Sequence, residues 1–111
     1  LPYNEAKKRL KAIKGIGPKT ADVFLMAVKG EPVLPIDVHI FRIMGRLGVA
    51  DGKNDYENLR AKLESEIPPA ERRMAHLILI EFGRKVCRSR HPRCVECPIR
   101  EYCKFSAGLD Q

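Results

Sequence analysis

The only four cysteines of the chain, Cys87, Cys94, Cys97 and Cys103, fall within one short segment in the spacing C-x6-C-x2-C-x5-C. A segment this short has no core of its own, so whatever gathers the four sulfurs decides how it folds. A soft thiolate set selects zinc or an iron–sulfur cluster. Structural zinc sites more often use two C-x2-C pairs separated by a longer stretch. Here one C-x2-C pair has a single cysteine on each side, a long–short–long pattern that suits the well-separated iron corners of a cluster better than one small ion. Two disulfides are the third alternative. No secretory leader is read ahead of the cysteines, and the chain reads as intracellular, where disulfides are rare.

The rest of the sequence is punctuated as helices joined by short turns, and no window alternates with period two over strand length. Asn4 is placed to cap a first helix to about Ile13, with Ala6, Leu10 and Ile13 on one face. Gly15-Ile16-Gly17 interrupts the pattern, and Pro18 stands where a second helix starts, a position proline tolerates. That helix runs to about Lys29 and is expected to bury Ala21, Phe24, Leu25 and Val28. Gly30, Pro32 and Pro35 form a connector. Asp37 then caps a helix with the stripe Ile36, Ile40, Ile43, Met44 and Leu47. Asp51-Gly52 signals a turn, Asn54 or Asp55 caps a helix with Leu59 and Leu63 inward, and Pro68-Pro69 ends it. The last long helix, with Met74, Leu77, Ile78, Leu79, Ile80 and Phe82, is apolar nearly all round and is expected at the centre of a bundle. His76 within it reads as a satisfied core residue. The expectation is an all-α chain: a helix-hairpin-helix segment over residues 1–36 and a helical domain over 37–111, closed by the cysteine loop.

Charge narrows the partners. The chain carries 21 Lys+Arg against 14 Asp+Glu, a formal net charge of +7. The surplus lies at the two ends: seven basic residues against two acidic ones in 1–30, and seven against three in 84–111. Two basic poles beside motifs favour a polyanion, nucleic acid first. No apolar run approaches the roughly 18 residues of a membrane span. Few Asn and Gln among many Lys, Arg and Glu hint at a thermophilic prokaryotic source.

The hairpin has a use for that charge. Glycine lets a backbone approach a ligand closely, and free N–H groups backed by the positive end of a helix seat an anion. A DNA phosphate fits without any base being read. A plain αα-hairpin is the bland reading of Gly15 and Gly17 alone. The fuller run from Ile13 to Val23, with Lys14, Ile16 and Lys19, resembles the helix-hairpin-helix of base-excision DNA glycosylases. With Pro35-Ile36-Asp37-Val38-His39 and the cysteine spacing following in order, residues 8–105 resemble the C-terminal half of the endonuclease III family.

That resemblance implies the remaining expectations. Lys19 is the nucleophile that attacks C1′ of a flipped-out damaged nucleotide, activated by partial desolvation and nearby cations. Asp37 is the essential carboxylate. Gly15, Ile16, Gly17, Lys14, His39, Arg88, Arg90 and Arg93 meet DNA. Cys87, Cys94, Cys97 and Cys103 hold a [4Fe–4S] cluster, with zinc as the alternative. The activity implied is excision of damaged bases, oxidised pyrimidines by family default, with abasic-site lyase cleavage of double-stranded DNA. A monofunctional mismatch glycosylase and a non-enzymatic DNA-binding module are the other readings; Lys19 counts against the first and Asp37 against the second. The chain departs from the family pattern at Lys14, where proline is frequent, at Pro18, and at Val38, where a small hydroxyl residue is usual. It begins about ten residues before the hairpin and reads as a piece of a longer, monomeric enzyme, weakly active by itself.

Overall fold

A computed structural model of the chain describes residues 1–50 and 55–109. Six α-helices follow one another: α1 Tyr3–Lys11, α2 Pro18–Lys29, α3 Val38–Leu47, α4 Tyr56–Glu66, α5 Arg72–Lys85 and α6 Lys104–Leu109. Short 3-10 turns occupy Pro69–Glu71, Cys94–Glu96 and Arg100–Tyr102. Among the described residues there is no strand, so the all-α expectation holds. The Asp51-Gly52 turn, and Asn54 as an alternative cap, lie outside the described residues.

Local chemistry sets most boundaries. Pro18 opens α2, and Gly30 ends it in the left-handed conformation, φ +69°. Asp37 caps α3 by accepting from the Ile40 N–H at 2.9 Å, and Asp55 caps α4 through the Asn58 N–H at 2.8 Å. Each such cap satisfies one orphan donor of the first turn. The Asn4 cap is not formed: α1 starts two residues earlier than that cap would place it, at Tyr3 after Pro2, without a side-chain cap. It also stops at Lys11, because Ile13 and Ile16 donate backwards to Leu10 and Ile13 and turn the chain into the hairpin.

The core gathers around α3. Leu34, Ile36, Ile40, Ile43, Met44, Leu59 and Leu63 are buried together, and Ala75, Leu79, Ile80 and Phe82 of α5 pack against them. The connector 31–37 runs through this core, and side chains satisfy its polar backbone. Glu64 accepts from the Leu34 N–H at 2.8 Å. His76 Nδ1 lies 2.8 Å from the Pro35 carbonyl, and Arg72 donates to the Pro32 carbonyl at 2.7 Å. Buried backbone groups must find such partners, which is why His76 is 4% exposed and satisfied, as expected of it.

Two burial expectations are corrected. Phe24 and Val28 of α2 are 48% and 65% exposed, while Met26 takes an inward place beside Ala21 and Leu25. Helix α5 is not central: Met74, Leu77 and Ile78 form an exposed face, and only His76 and Gly83 along it are fully buried. A helix apolar on all sides carries no signal of which side meets the core.

Candidate nucleic-acid interface and cysteine site

The hairpin is built for close approach. Gly15 has φ +92°, a conformation that a side chain makes costly. Gly17 is the N-cap of α2 in extended conformation, and no side chain caps that end. The first backbone bond of the helix is Ala21 N–H to the Gly17 carbonyl, so among the described residues the N–H groups of Lys19 and Thr20 have no partner and are open to an anion. A Cβ added to Gly17 would meet no protein atom within 4 Å. Ile16 is half-buried under the turn, while Lys14 and Lys19 are exposed.

Lys19 is exposed and makes no side-chain hydrogen bond or ion pair among the described residues, so its amine is unencumbered. Its exposure means that the described residues do not supply the desolvation expected for it. Asp37 uses Oδ1 for its cap; Oδ2 has no partner among the described residues. The two side chains form no ion pair with each other.

His39 is turned toward the protein. Its Nδ1 lies 3.2 Å from an Arg42 Nη2, and a Cβ placed on Gly83 would come within 2.9 Å of His39 Cβ. Glycine at 83 is thus what lets α5 approach α3 here. Arg42, which the sequence reading passed over, donates to the Cys87 carbonyl at 3.0 Å and the Gly83 carbonyl at 2.8 Å. It ties α3, the helix that Asp37 caps, to the start of the cysteine loop.

None of the four cysteines is paired in a disulfide. All four line one cavity with Ile43, Arg46, Phe82, Phe105 and Ser106. Among the described residues, no three His, Cys, Asp or Glu side chains converge as a single-ion site. Burial raises the Cys94 thiol above its ordinary value, the charges of Cys103, Cys87 and Cys97 raise it further, and Arg46 opposes them. Arg46 donates to Cys87 Sγ at 3.4 Å and to the Arg88 carbonyl at 2.7 Å, and stacks on the Phe105 ring with 4.6 Å to its centroid. The loop's cations differ in role. Arg88 is half-buried and donates to the His91 carbonyl at 2.8 Å, whereas Arg90 and Arg93 are exposed.

The basic pole near the hairpin is smaller than the sequence suggests. Lys7 is 6% exposed, and its Nζ lies 3.0 Å from Asp22 and 2.9 Å from Glu57. Asp22, fully buried, also accepts from the hydroxyls of Tyr3 and Tyr56. Burial, then the hydrogen bond to Asp22, pushes both phenols well above their ordinary range. Arg60 closes the network against Asp22 at 3.5 Å and Glu64 at 2.9 Å.

No protein-family model matches the chain. It is 41% identical to endonuclease III of Sulfolobus acidocaldarius over 96 residues, covering 86% of this chain and 43% of that protein. It is 38% identical to endonuclease III of Escherichia coli K12 over 106 residues, covering 96% and 50%. A trapped endonuclease III–DNA covalent intermediate matches with a TM-score of 0.89 at 28% identity, over 99% of this chain and 51% of that one. A thermostable thymine-DNA glycosylase shares the fold with a TM-score of 0.78 at 22% identity, over 97% and 50%. The chain spans about half the length of the curated relatives it matches. No helix among the described residues is long and apolar enough to cross a membrane. Sequence similarity over nearly its whole length, and a fold shared over 99% of it, make this chain a homologue of about half of endonuclease III.

Proposed function

We propose that this chain is the C-terminal, catalytic half of a base-excision repair DNA glycosylase with abasic-site lyase activity, acting inside the cell on double-stranded DNA that carries oxidised pyrimidines or abasic sites. The observation that carries the reading is an exposed, unpaired lysine on the first turn of an uncapped helix, in a chain 38% identical to endonuclease III over 106 residues.

A DNA phosphate rests on the free N–H groups ahead of Lys19, with Lys14 adding charge. The damaged nucleotide is flipped out, since chemistry on a stacked base is out of reach. Lys19 Nζ, as the free amine, forms a bond to C1′. The C1′–N bond to the base breaks, and the base leaves with the electron pair and takes up a proton. Loss of the amine proton and ring opening give a Schiff base. Removal of a C2′ proton then expels the 3′ phosphate, cleaving the strand. Asp37 Oδ2 stabilises the positive charge on the sugar or moves these protons, while Oδ1 holds the cap. His39 supports Arg42 and the helix that presents Asp37.

Cys87, Cys94, Cys97 and Cys103 would hold a [4Fe–4S] cluster. Four unpaired thiols lining one cavity fit that group, with zinc as the alternative. When bound, the cluster supplies a crosslink for a loop that lacks a core, and it holds Arg90 and Arg93 toward phosphate.

Incubation with an abasic duplex and borohydride tests the assignment. The chain should form a covalent protein–DNA band that Lys19→Gln abolishes. Base release without a trapped band would favour the monofunctional reading, and salt-dependent binding without any reaction would favour a binding module.

A further inference from the structure

Ser106 is 2% exposed, and its hydroxyl has no hydrogen-bond partner among the described residues. A serine inside a helix ordinarily turns its hydroxyl back to a carbonyl one turn earlier, and an orphaned buried donor costs free energy unless something absent satisfies it. Ser106 lines the cavity of the four cysteines and shares a second, shallower hollow with Cys97. It stands three residues beyond Cys103. At the other end of the loop Arg46 already donates to Cys87 Sγ at 3.4 Å. The cavity therefore meets one donor at its first cysteine and an unused donor near its last.

We propose that the Ser106 hydroxyl donates to a sulfur of the bound iron–sulfur group and raises its reduction potential. This rests on the cluster reading above. Reduction adds an electron to a group already rich in negative charge. A donor aimed at its sulfurs stabilises the reduced state more than the oxidised one, and such contacts set cluster potentials. No further ligand is needed, because the four cysteines complete the set.

The test compares the iron-loaded chain with Ser106→Ala and Ser106→Thr. Each is assayed for about four irons per chain and broad absorption at roughly 400 nm, then for midpoint potential by protein-film voltammetry and for the deuterium sensitivity of its Fe–S Raman bands. The expected result is that Ser106→Ala loads iron but shows a lower potential and loses part of the deuterium shift, while Ser106→Thr retains both. Failure of Ser106→Ala to load where Ser106→Thr loads also supports the role. Loaded proteins with equal potentials and equal deuterium shifts overturn the proposal and leave the cluster standing. Failure of both variants to load overturns it too, because loss then follows packing rather than the hydroxyl. A chain that takes up zinc and no iron overturns the cluster reading and the proposal together.

Discussion

Asp37 holds the α3 cap with Oδ1, and the proposed mechanism gives Oδ2 a second role that a single substitution separates from the first. Asn caps helices about as well as Asp, so Asp37→Asn should change the stability of the chain by less than about 1 kcal/mol. Its borohydride trapping should nevertheless slow by roughly 100-fold, the lower range for lost proton-transfer assistance. Thermal melts and trapping time courses on the same preparation check both halves. Gly83 makes the opposite case. Alanine normally favours a helix, yet here its Cβ would meet His39 Cβ at 2.9 Å and Arg42 at 3.2 Å. Gly83→Ala should therefore destabilise by about 1–3 kcal/mol, read as a lower denaturation midpoint. The first residue was legible in the sequence because a cap is a local signal. The second was not, since the requirement for glycine at 83 comes from residues about forty positions away.

At the scale of elements, the hairpin is joined to the body by charge. Buried Lys7 of α1 and Asp22 of α2, half-buried Arg60 and exposed Glu57 of α4 form one network. Removing one partner strands the others. Lys7→Met should cost about 3 kcal/mol and lower the melting temperature by roughly 10 °C, which calorimetry would show. Burial alone would raise Glu57, but hydrogen bonds from Lys7 and Arg60 outweigh it and hold the carboxyl below its ordinary value of 4.5. Its contribution is therefore complete above that value and is lost as pH falls through the folded pKa. The melting temperature should begin to fall below about pH 4.5, less steeply in Lys7→Met. Helix starts at Pro18, Asp37 and Asp55 were readable because caps and prolines act on their neighbours. The pairing of Lys7 with Asp22 and Glu57 was not, because ion pairs across 15 and 50 residues leave no periodic trace. The exposed face of α5 was hidden for a related reason: an apolar run without polar interruptions fixes no direction.

At the scale of the whole molecule, the proposed phosphate grips lie in two places, the hairpin and the cysteine loop. Each exposed cation that meets phosphate should contribute about one unit to the salt slope of DNA binding. Arg90→Ala and Arg93→Ala should each reduce that slope by about 1, while Arg88→Ala, whose side chain braces its own loop, should act through loop order and iron retention. Charge counting located both basic ends, but only the folded chain separates Lys7 and Arg88, which work inward, from Lys14, Arg90 and Arg93, which do not. All of this serves one claim: that the amine at the mouth of the hairpin forms the bond to the sugar. Peptide mapping of the borohydride-reduced adduct by mass spectrometry tests it most directly. The reduced sugar should be found on Lys19 alone. An adduct on another lysine or on the N-terminal amine, or none on an abasic duplex that the chain demonstrably binds, would contradict it.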